Sequence, residues 1–199
     1  AAMAAALEGS SAYVVSDEIY RELYYTKGRP ASVSEFRPDR VLVIGGLSKS
    51  MSMTGWRLGW LCGDSEVVKS ALVLHGYTTT CASTVSQKAG LAAWTAEAAE
   101  ARRAFRRTFL ERRDHLLGLL SSELGLRAAE PEGAFYAMVD VSAHGDSAGV
   151  AELLLEHGVI TVPGAAFGPE GEGHLRVSFC ADLHVISEGV KRMKAALRP

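Results

Sequence analysis

Short apolar runs, separated by long connections, mark the first half of the chain. Three of these runs are typical of buried strands: 12–15, 41–44 and 58–63. Helical patterns are found between and beside them: 1–8, 65–74 and 85–94. Nearly continuous apolar strands with long connections predict a sheet covered on both faces. The first half of the chain therefore indicates an α/β fold.

A long helical pattern follows, from about Ala96 to Ser121. Its apolar positions have the three-to-four spacing of a buried stripe: Phe105, Phe109, Leu116 and Leu120. The segment also holds six arginines, but acidic residues are interleaved with them. That mixture favours a solvated, charged helix face over a nucleic-acid contact.

After Gly125 the pattern changes to short alternating segments. We predict strands at 134–141, 159–162 and 174–180, and helices at 147–157 and 183–197. These segments indicate a compact α+β unit. The predicted organisation is a sheet-containing domain at 1–95, a connecting helix at 96–121 and a small C-terminal domain at 122–199.

Composition narrows the class of protein. Apolar residues make up 48 % of the chain and the net charge is −2, which gives no general affinity for nucleic acid or for an anionic membrane. No apolar run approaches the roughly 20 residues that span a bilayer. Three widely spaced cysteines (Cys62, Cys81 and Cys180) predict buried free thiols in a reducing compartment. The histidines form no metal-binding motif with them, so we expect a cytoplasmic protein without a metal site.

The sequence S-D-E-I-Y at 16–20 places a carboxylate where a predicted strand ends. Open α/β sheets bind ligands at the carboxyl ends of their strands, so Asp17 is a candidate site residue. Tyr20 would lie on the same side if the chain turned helically. The alternative, with about even odds, is that Asp17 caps the start of a helix.

A second candidate is Lys49, which closely follows the strand predicted at 41–44. A lysine held beside the core is partly desolvated, and such amines form Schiff bases with carbonyl compounds. Arg57 follows after a turn at Thr54-Gly55, and its guanidinium could bind a phosphate through two hydrogen bonds. Spacing alone leaves an ordinary surface lysine as the alternative.

A third candidate is Arg176, in the middle of the strand predicted at 174–180. A charge there is costly unless it finds a partner. The partner is either one of the protein's own carboxylates, in a structural ion pair, or the carboxylate of a substrate.

Five motifs occur in the order and spacing of the class I/II aminotransferases that depend on pyridoxal 5′-phosphate (PLP). They are D-E-I-Y at 17–20, S-K-x-x-x-x-T-G-W-R-x-G at 48–59, G-A-F-Y at 133–136, V-P-G-x-x-F-G at 162–168 and R-V-S-F at 176–179. The sequence most resembles the bacterial aspartate and aromatic aminotransferase branch, from about Val14 to Leu197. The resemblance implies the C-terminal part of a large PLP-binding domain, with a mixed, mostly parallel sheet and helices on both faces, followed by a small α+β domain.

The resemblance also implies roles for the candidate residues toward the cofactor. Lys49 would form the Schiff base with PLP and then move the substrate's α-proton. Asp17 would pair with the pyridine nitrogen, and Tyr20 would hydrogen-bond the phenolic oxygen. Arg57 would bind the phosphate, with a contribution from Ser48.

Arg176 would hold the α-carboxylate of the substrate, which is an α-amino acid or a 2-oxo acid. The family forms homodimers, so a dimer is expected for the intact protein. Many relatives carry a phosphate-binding serine where this chain has Gly46. They are also about twice as long, which implies that this chain is incomplete, binds PLP poorly and is inactive alone.

Three alternatives stay open at this point. A PLP-dependent C–S lyase or decarboxylase would keep the fold and the cofactor but change the outcome of the reaction. An aminotransferase-like domain can also serve as a non-catalytic PLP sensor in a transcription regulator. The last alternative is a decayed half that only forms dimers or has no activity.

Overall fold

The structure, a computed structural model, describes residues 1–197 and separates into two compact units. The first unit is Ala1–Ala104 and the second runs from Phe105 to the C-terminus. Elements of the first unit are helix α1 (Ala2–Ala6), strands β1 (Val14–Asp17), β2 (Val41–Gly46) and β3 (Gly59–Cys62), and helices α2 (Ser65–Thr78) and α3 (Thr84–Gly90). The long helix α4 (Ala96–Leu124) begins in the first unit and ends in the second. It is followed by β4 (Tyr136–Asp140), α5 (Ser147–Glu156), β5 (Val162–Pro163), β6 (His174–Ser178) and α6 (Leu183–Ala196).

The sheet of the first unit has the strand order β1-β2-β3. β1 and β2 are parallel, with Asp17 opposite Ile44, whereas β2 and β3 are antiparallel. The predicted α/β class is confirmed. The prediction of a mostly parallel sheet is not confirmed, because the described strands of this sheet have one parallel and one antiparallel pairing.

Much of the apolar surface of the first unit is exposed. Helix α2 has no buried residue, and three of its large side chains, Leu72, Leu74 and Tyr77, are 67 %, 67 % and 88 % exposed. On the sheet, Val15 is 62 % exposed. Large apolar side chains on both the helix and the sheet of this unit are therefore left in contact with solvent.

In the second unit, the antiparallel sheet β4-β6-β5 has one face on the core and one open face. Ala137, Val139, Leu175 and Val177 are buried and alternate with residues of intermediate or high exposure. Because strand side chains alternate between faces, Arg176 lies on the face opposite the core. The charge that the sequence places in mid-strand is therefore not in the hydrophobic interior.

Most predicted elements are present with shifted ends, and the strand expected at 159–162 is displaced and shortened to Val162–Pro163. Those two residues of the segment pair with β6. The preceding residues belong to the end of α5 instead, since Gly158 has a left-handed φ of 73° and Val159 donates to the carbonyl of Leu154 at 2.9 Å. That arrangement is a common helix C-terminus, and it uses the amide that a strand would need.

The prediction that the cysteines are buried is also wrong. Cys62, Cys81 and Cys180 are free and exposed. Cys62 ends β3, an edge strand of the described sheet, and Cys180 lies beyond the end of β6. Apolar neighbours in the sequence predict that a cysteine is buried. Its actual exposure depends on whether it lies on an edge strand or beyond the end of a strand.

The division into 1–95, 96–121 and 122–199 stays a prediction, and the last two residues of that third part lie outside the described residues. Within residues 1–197, no helix combines the length and the apolar character that crossing a membrane requires.

Ala134, just before β4, has a left-handed φ of 58°. An L-residue pays roughly 1–2 kcal/mol for this conformation, and glycine avoids that cost. We expect Ala134→Gly to raise the free energy of unfolding by about 0.5–1 kcal/mol, measured by urea denaturation. The matched control, Ala151→Gly within α5, should lower it by about 1 kcal/mol. Destabilisation by both substitutions would contradict the strained backbone at Ala134.

Glu172 anchors the start of α5. Its carboxylate accepts from the Ser147 amide at 2.7 Å, from the Gly173 amide at 2.9 Å and from the Ser147 hydroxyl at 2.9 Å. These hydrogen bonds, that from the Ser147 amide foremost, hold the pKa of Glu172 below its usual value. A carboxyl group with a lowered pKa stabilises the fold above its unfolded pKa, and this stabilisation is lost as pH falls through the folded pKa.

We therefore expect Glu172→Gln to lower the urea midpoint at pH 7 and to have a smaller effect at pH 3. Glu156→Gln is the control, because it changes an exposed carboxylate at the other end of the same helix. An equal loss from Glu172→Gln at both pH values would show that the charge of Glu172 does not matter.

Candidate active site

The segment from Leu47 to Leu58 forms a closed loop after β2. The Leu47 amide donates to the Leu58 carbonyl at 3.3 Å, and the Leu47 carbonyl accepts from the amides of Met51 at 3.1 Å and Met53 at 3.4 Å. Leu47 is 4 % exposed and Ser50 is also 4 % exposed, so both ends of the first turn are anchored in the unit. The loop therefore holds Lys49 on a fixed, half-buried turn.

Lys49 and Tyr20 are brought together. The Nζ atom of Lys49 lies 5.7 Å from the centroid of the Tyr20 ring, although 28 residues separate them in sequence. Lys49 follows the end of β2, and Tyr20 follows the end of β1. Since these two strands are parallel, their carboxyl ends lie at the same edge of the sheet, where α/β proteins bind ligands.

Asp17 lies at this edge as the last residue of β1, and it is exposed. Its Oδ1 accepts from the Ile19 amide at 3.1 Å, which closes a tight turn and not a helix. The alternative that Asp17 caps the start of a helix is therefore wrong, because the chain after Asp17 forms a turn. Among residues 1–197 the Asp17 carboxylate has no ion pair.

The neighbouring carboxylate, Glu18, has a different environment. It accepts from the hydroxyls of Ser16, at 3.2 Å, and Ser32, and it forms an ion pair with Arg21 at 3.3 Å. Of the two adjacent acidic residues, Glu18 is committed to the protein's own structure, whereas Asp17 is open to a ligand.

Arg57 ends the turn at Thr54–Trp56 and has a left-handed backbone, with φ 50° and ψ 49°. Its Nη1 donates to the Thr54 carbonyl at 3.0 Å, which uses one of the five N–H donors of the guanidinium. The side chain is exposed, and Ser48 is half-buried. Their phosphate-binding roles stay predictions.

The structure explains the glycine at position 46. A Cβ atom added there would lie 2.8 Å from Cδ1 of Ile19 and 3.1 Å from the backbone oxygen of Leu58. A serine at this position would therefore need Ile19 to move and would crowd the Leu58 carbonyl.

A cavity of about 210 Å³ in the first unit does not contain these groups. It is lined partly by Val43, Gly45 and Trp60, on the face of the sheet opposite Asp17. Two of its charged lining residues, Glu22 and Arg29, form an ion pair with each other at 2.5 Å. The lining includes sequence neighbours of the predicted site residues, but none of those site residues themselves.

Arg176 belongs to the second unit. Its guanidinium carbon lies 4.4 Å from the ring centroid of Tyr136 and 4.4 Å from that of Phe167. Its Nε atom is buried and has no hydrogen-bond partner, and within the described part of the chain Arg176 forms no ion pair. The alternative of a structural ion pair is therefore not supported.

Tyr136 and Phe167 were not among the predicted site residues. The signal for them was present, because they lie in the motifs G-A-F-Y and V-P-G-x-x-F-G. Those motifs indicate the family, but they assign no physical role to either aromatic ring until the pairing of the strands is known. Within residues 1–197, no group of His, Cys, Asp and Glu side chains could hold a metal ion.

The cluster in the first unit combines an amine, a phenol and a carboxylate at one sheet edge with a nearby guanidinium in the same closed loop. An amine can attack a carbonyl carbon, and a carboxylate can stabilise a protonated ring nitrogen. A phenol can hydrogen-bond a phenolate, and a guanidinium suits a phosphate. The set therefore fits a phosphorylated pyridine aldehyde.

Comparison with known proteins identifies the family of the chain. Residues 1–192 match the model of the family "Aminotransferase class I and II". The chain is 40 % identical over 194 residues to a probable N-acetyl-LL-diaminopimelate aminotransferase of Bacillus subtilis, covering 96 % of this chain and 49 % of that protein. It is 40 % identical over 190 residues to the aspartate/prephenate aminotransferase of Thermus thermophilus, covering 93 % of this chain and 48 % of that protein.

Solved structures that resemble the chain are also aminotransferases. Thermus thermophilus aspartate aminotransferase with maleate has a TM-score of 0.89 and 38 % identity, covering 98 % of this chain and 51 % of that one. An aromatic aminotransferase from Pyrococcus horikoshii has a TM-score of 0.93 and 30 % identity, and the match covers 98 % of this chain and 54 % of that one. The chain thus spans about half the length of the relatives it matches. On its sequence and its fold, the chain belongs to the class I and II aminotransferase family.

Proposed function

We propose that the complete protein is a PLP-dependent aminotransferase, which moves an amino group between an α-amino acid and a 2-oxo acid. The observation that carries this proposal is the placement of Lys49 beside Tyr20, at the sheet edge where Asp17 ends β1. The named relatives are aminotransferases for aspartate, prephenate or N-acetyl-LL-diaminopimelate, which favours amino transfer over the lyase and decarboxylase alternatives.

PLP, when bound, supplies a conjugated ring that accepts the electron pair of a bond broken at the substrate's α-carbon. Lys49 would hold the cofactor covalently through its amine and then carry a proton at that α-carbon. Asp17 would keep the pyridine nitrogen protonated. Tyr20 would donate a hydrogen bond to the phenolic oxygen.

The remaining residues bind and orient. Arg57 and Ser48 would bind the phosphate, because a guanidinium and a hydroxyl offer several donors to its oxygens. Arg176 would bind the carboxylate shared by amino acids and 2-oxo acids. A fixed carboxylate orients the neighbouring α-carbon, and orientation of this kind supplies a large part of catalytic rate.

We infer that the rest of the protein covers the exposed surface of the first unit. The chain spans about half the length of its relatives, and Leu72, Leu74, Tyr77 and Val15 lack cover. A homodimer of the intact protein and a cytoplasmic location are the further expectations. On this account the isolated chain binds PLP weakly and shows no transaminase turnover. Sustained turnover by the purified chain would contradict it.

The proposed reaction can be tested by completing the fold. The first half of the Thermus thermophilus aspartate/prephenate aminotransferase is fused ahead of Ala1, and amino transfer from aspartate to 2-oxoglutarate is measured with added PLP. We expect transfer by the fusion and a loss on the order of 10²–10⁴-fold in Lys49→Ala, since that variant lacks the proton carrier. Lys88→Ala, in α3, is the matched control and should retain activity.

The products distinguish the alternatives. Release of a thiol or of carbon dioxide, in place of a new amino acid, would favour the lyase or decarboxylase. A folded fusion that binds PLP and turns nothing over would favour the non-catalytic sensor. Equal activity of Lys49→Ala and Lys88→Ala would refute the role of Lys49.

A further inference from the structure

Two aromatic rings contact the guanidinium of Arg176. Tyr136 and Phe167 each place a ring centroid 4.4 Å from its central carbon. Both distances are well within the range of a cation–π interaction. A guanidinium that stacks on aromatic rings keeps its N–H edge for hydrogen bonding.

Backbone features of the second unit bring the two rings to Arg176. In the antiparallel register, Tyr136 is opposite Ser178, so it is the diagonal neighbour of Arg176 on the open face of the sheet. Phe167 ends the turn at Gly164–Phe167, directly after β5. That turn is fixed by close backbone contact between Gly164 and Gly171, where a Cβ on either residue would overlap the other.

The N–H edge of Arg176 lacks an acceptor. Its Nε is buried and unpartnered, and no carboxylate within residues 1–197 forms an ion pair with it. A buried donor without a partner is costly, and native structures seldom keep one without a functional reason. A planar guanidinium matches a planar carboxylate through two parallel hydrogen bonds.

We propose that Tyr136 and Phe167 are positioning residues that preform Arg176 as a carboxylate site, and that this site takes small carboxylates without PLP. The proposal rests on the proposed substrate-binding role of Arg176 and extends it. Contact with two rings restricts rotation of the guanidinium before the ligand arrives, so less conformational freedom is lost on binding. The rings also keep the head group from turning toward the protein's own carboxylates.

The test is a titration of the ¹⁵N-labelled 199-residue chain with acetate, followed through the Arg176 Nε–H signal in NMR spectra. Arg176→Lys identifies that signal by its loss, and acetamide is the uncharged control ligand. We expect acetate, but not acetamide, to shift the signal in a saturable manner. Phe167→Tyr keeps an aromatic face and should bind acetate like the native chain.

Phe167→Leu keeps apolar volume but removes the π face. We expect it to weaken acetate binding on the order of threefold to tenfold and to speed guanidinium rotation in the ligand-free chain. The matched control is Phe36→Leu, since Phe36 is 50 % exposed and Phe167 is 51 % exposed. If backbone amide shifts show that Phe167→Leu disturbs its loop, Tyr136→Leu makes the same test from β4 and is judged by the same criterion.

Native-like affinity and rotation in Phe167→Leu, or in Tyr136→Leu where that variant is used, would overturn the positioning role and leave Arg176 as a carboxylate site. A native chain that does not respond to acetate would overturn both this proposal and the substrate-binding role of Arg176. Neither result bears on Lys49 and its role toward PLP, which the fusion tests separately.

Discussion

The parallel pairing of β1 with β2 is the constraint on which the candidate cofactor site depends. It places the last residue of β1, Asp17, and the loop that follows β2 at one edge of the sheet. The hydrogen bonds made by the amide and the carbonyl of Leu47 then fix the turn that carries Lys49. A shift of one residue in this register would move Asp17 to the other face and separate the carboxylate from the amine.

The sequence predicts where Asp17 and Lys49 lie because the determinants of their position are local. Asp17 and Lys49 each follow an apolar strand closely, so their position at a sheet edge can be inferred from the chain alone. The sequence does not reveal that Glu18 is bonded to Ser32 while Asp17 is not, because that contact depends on how the 26–39 loop folds back.

The two aromatic contacts of Arg176 could not be predicted for a similar reason. They need the β4–β6 register, the two-residue strand β5 and the close approach of Gly164 to Gly171, none of which has a local signature. Mid-strand position suggests a buried charge, but alternation in the folded sheet places Arg176 on the open face. The exposed cysteines and the shortened β5 show the same limit, since edges and helix ends depend on tertiary pairing.

The central claim, that Lys49 is the lysine prepared to react with PLP, is tested most directly by trapping. The purified chain is mixed with excess PLP, reduced with borohydride and mapped by mass spectrometry. Exposure alone would favour Lys69 and Lys191, whose side chains are 71 % and 81 % exposed, over half-buried Lys49. We expect a pyridoxyl adduct that is concentrated on Lys49 and absent in Lys49→Ala. Labelling that follows exposure, or that misses Lys49, would show that Lys49 is not prepared to react with PLP.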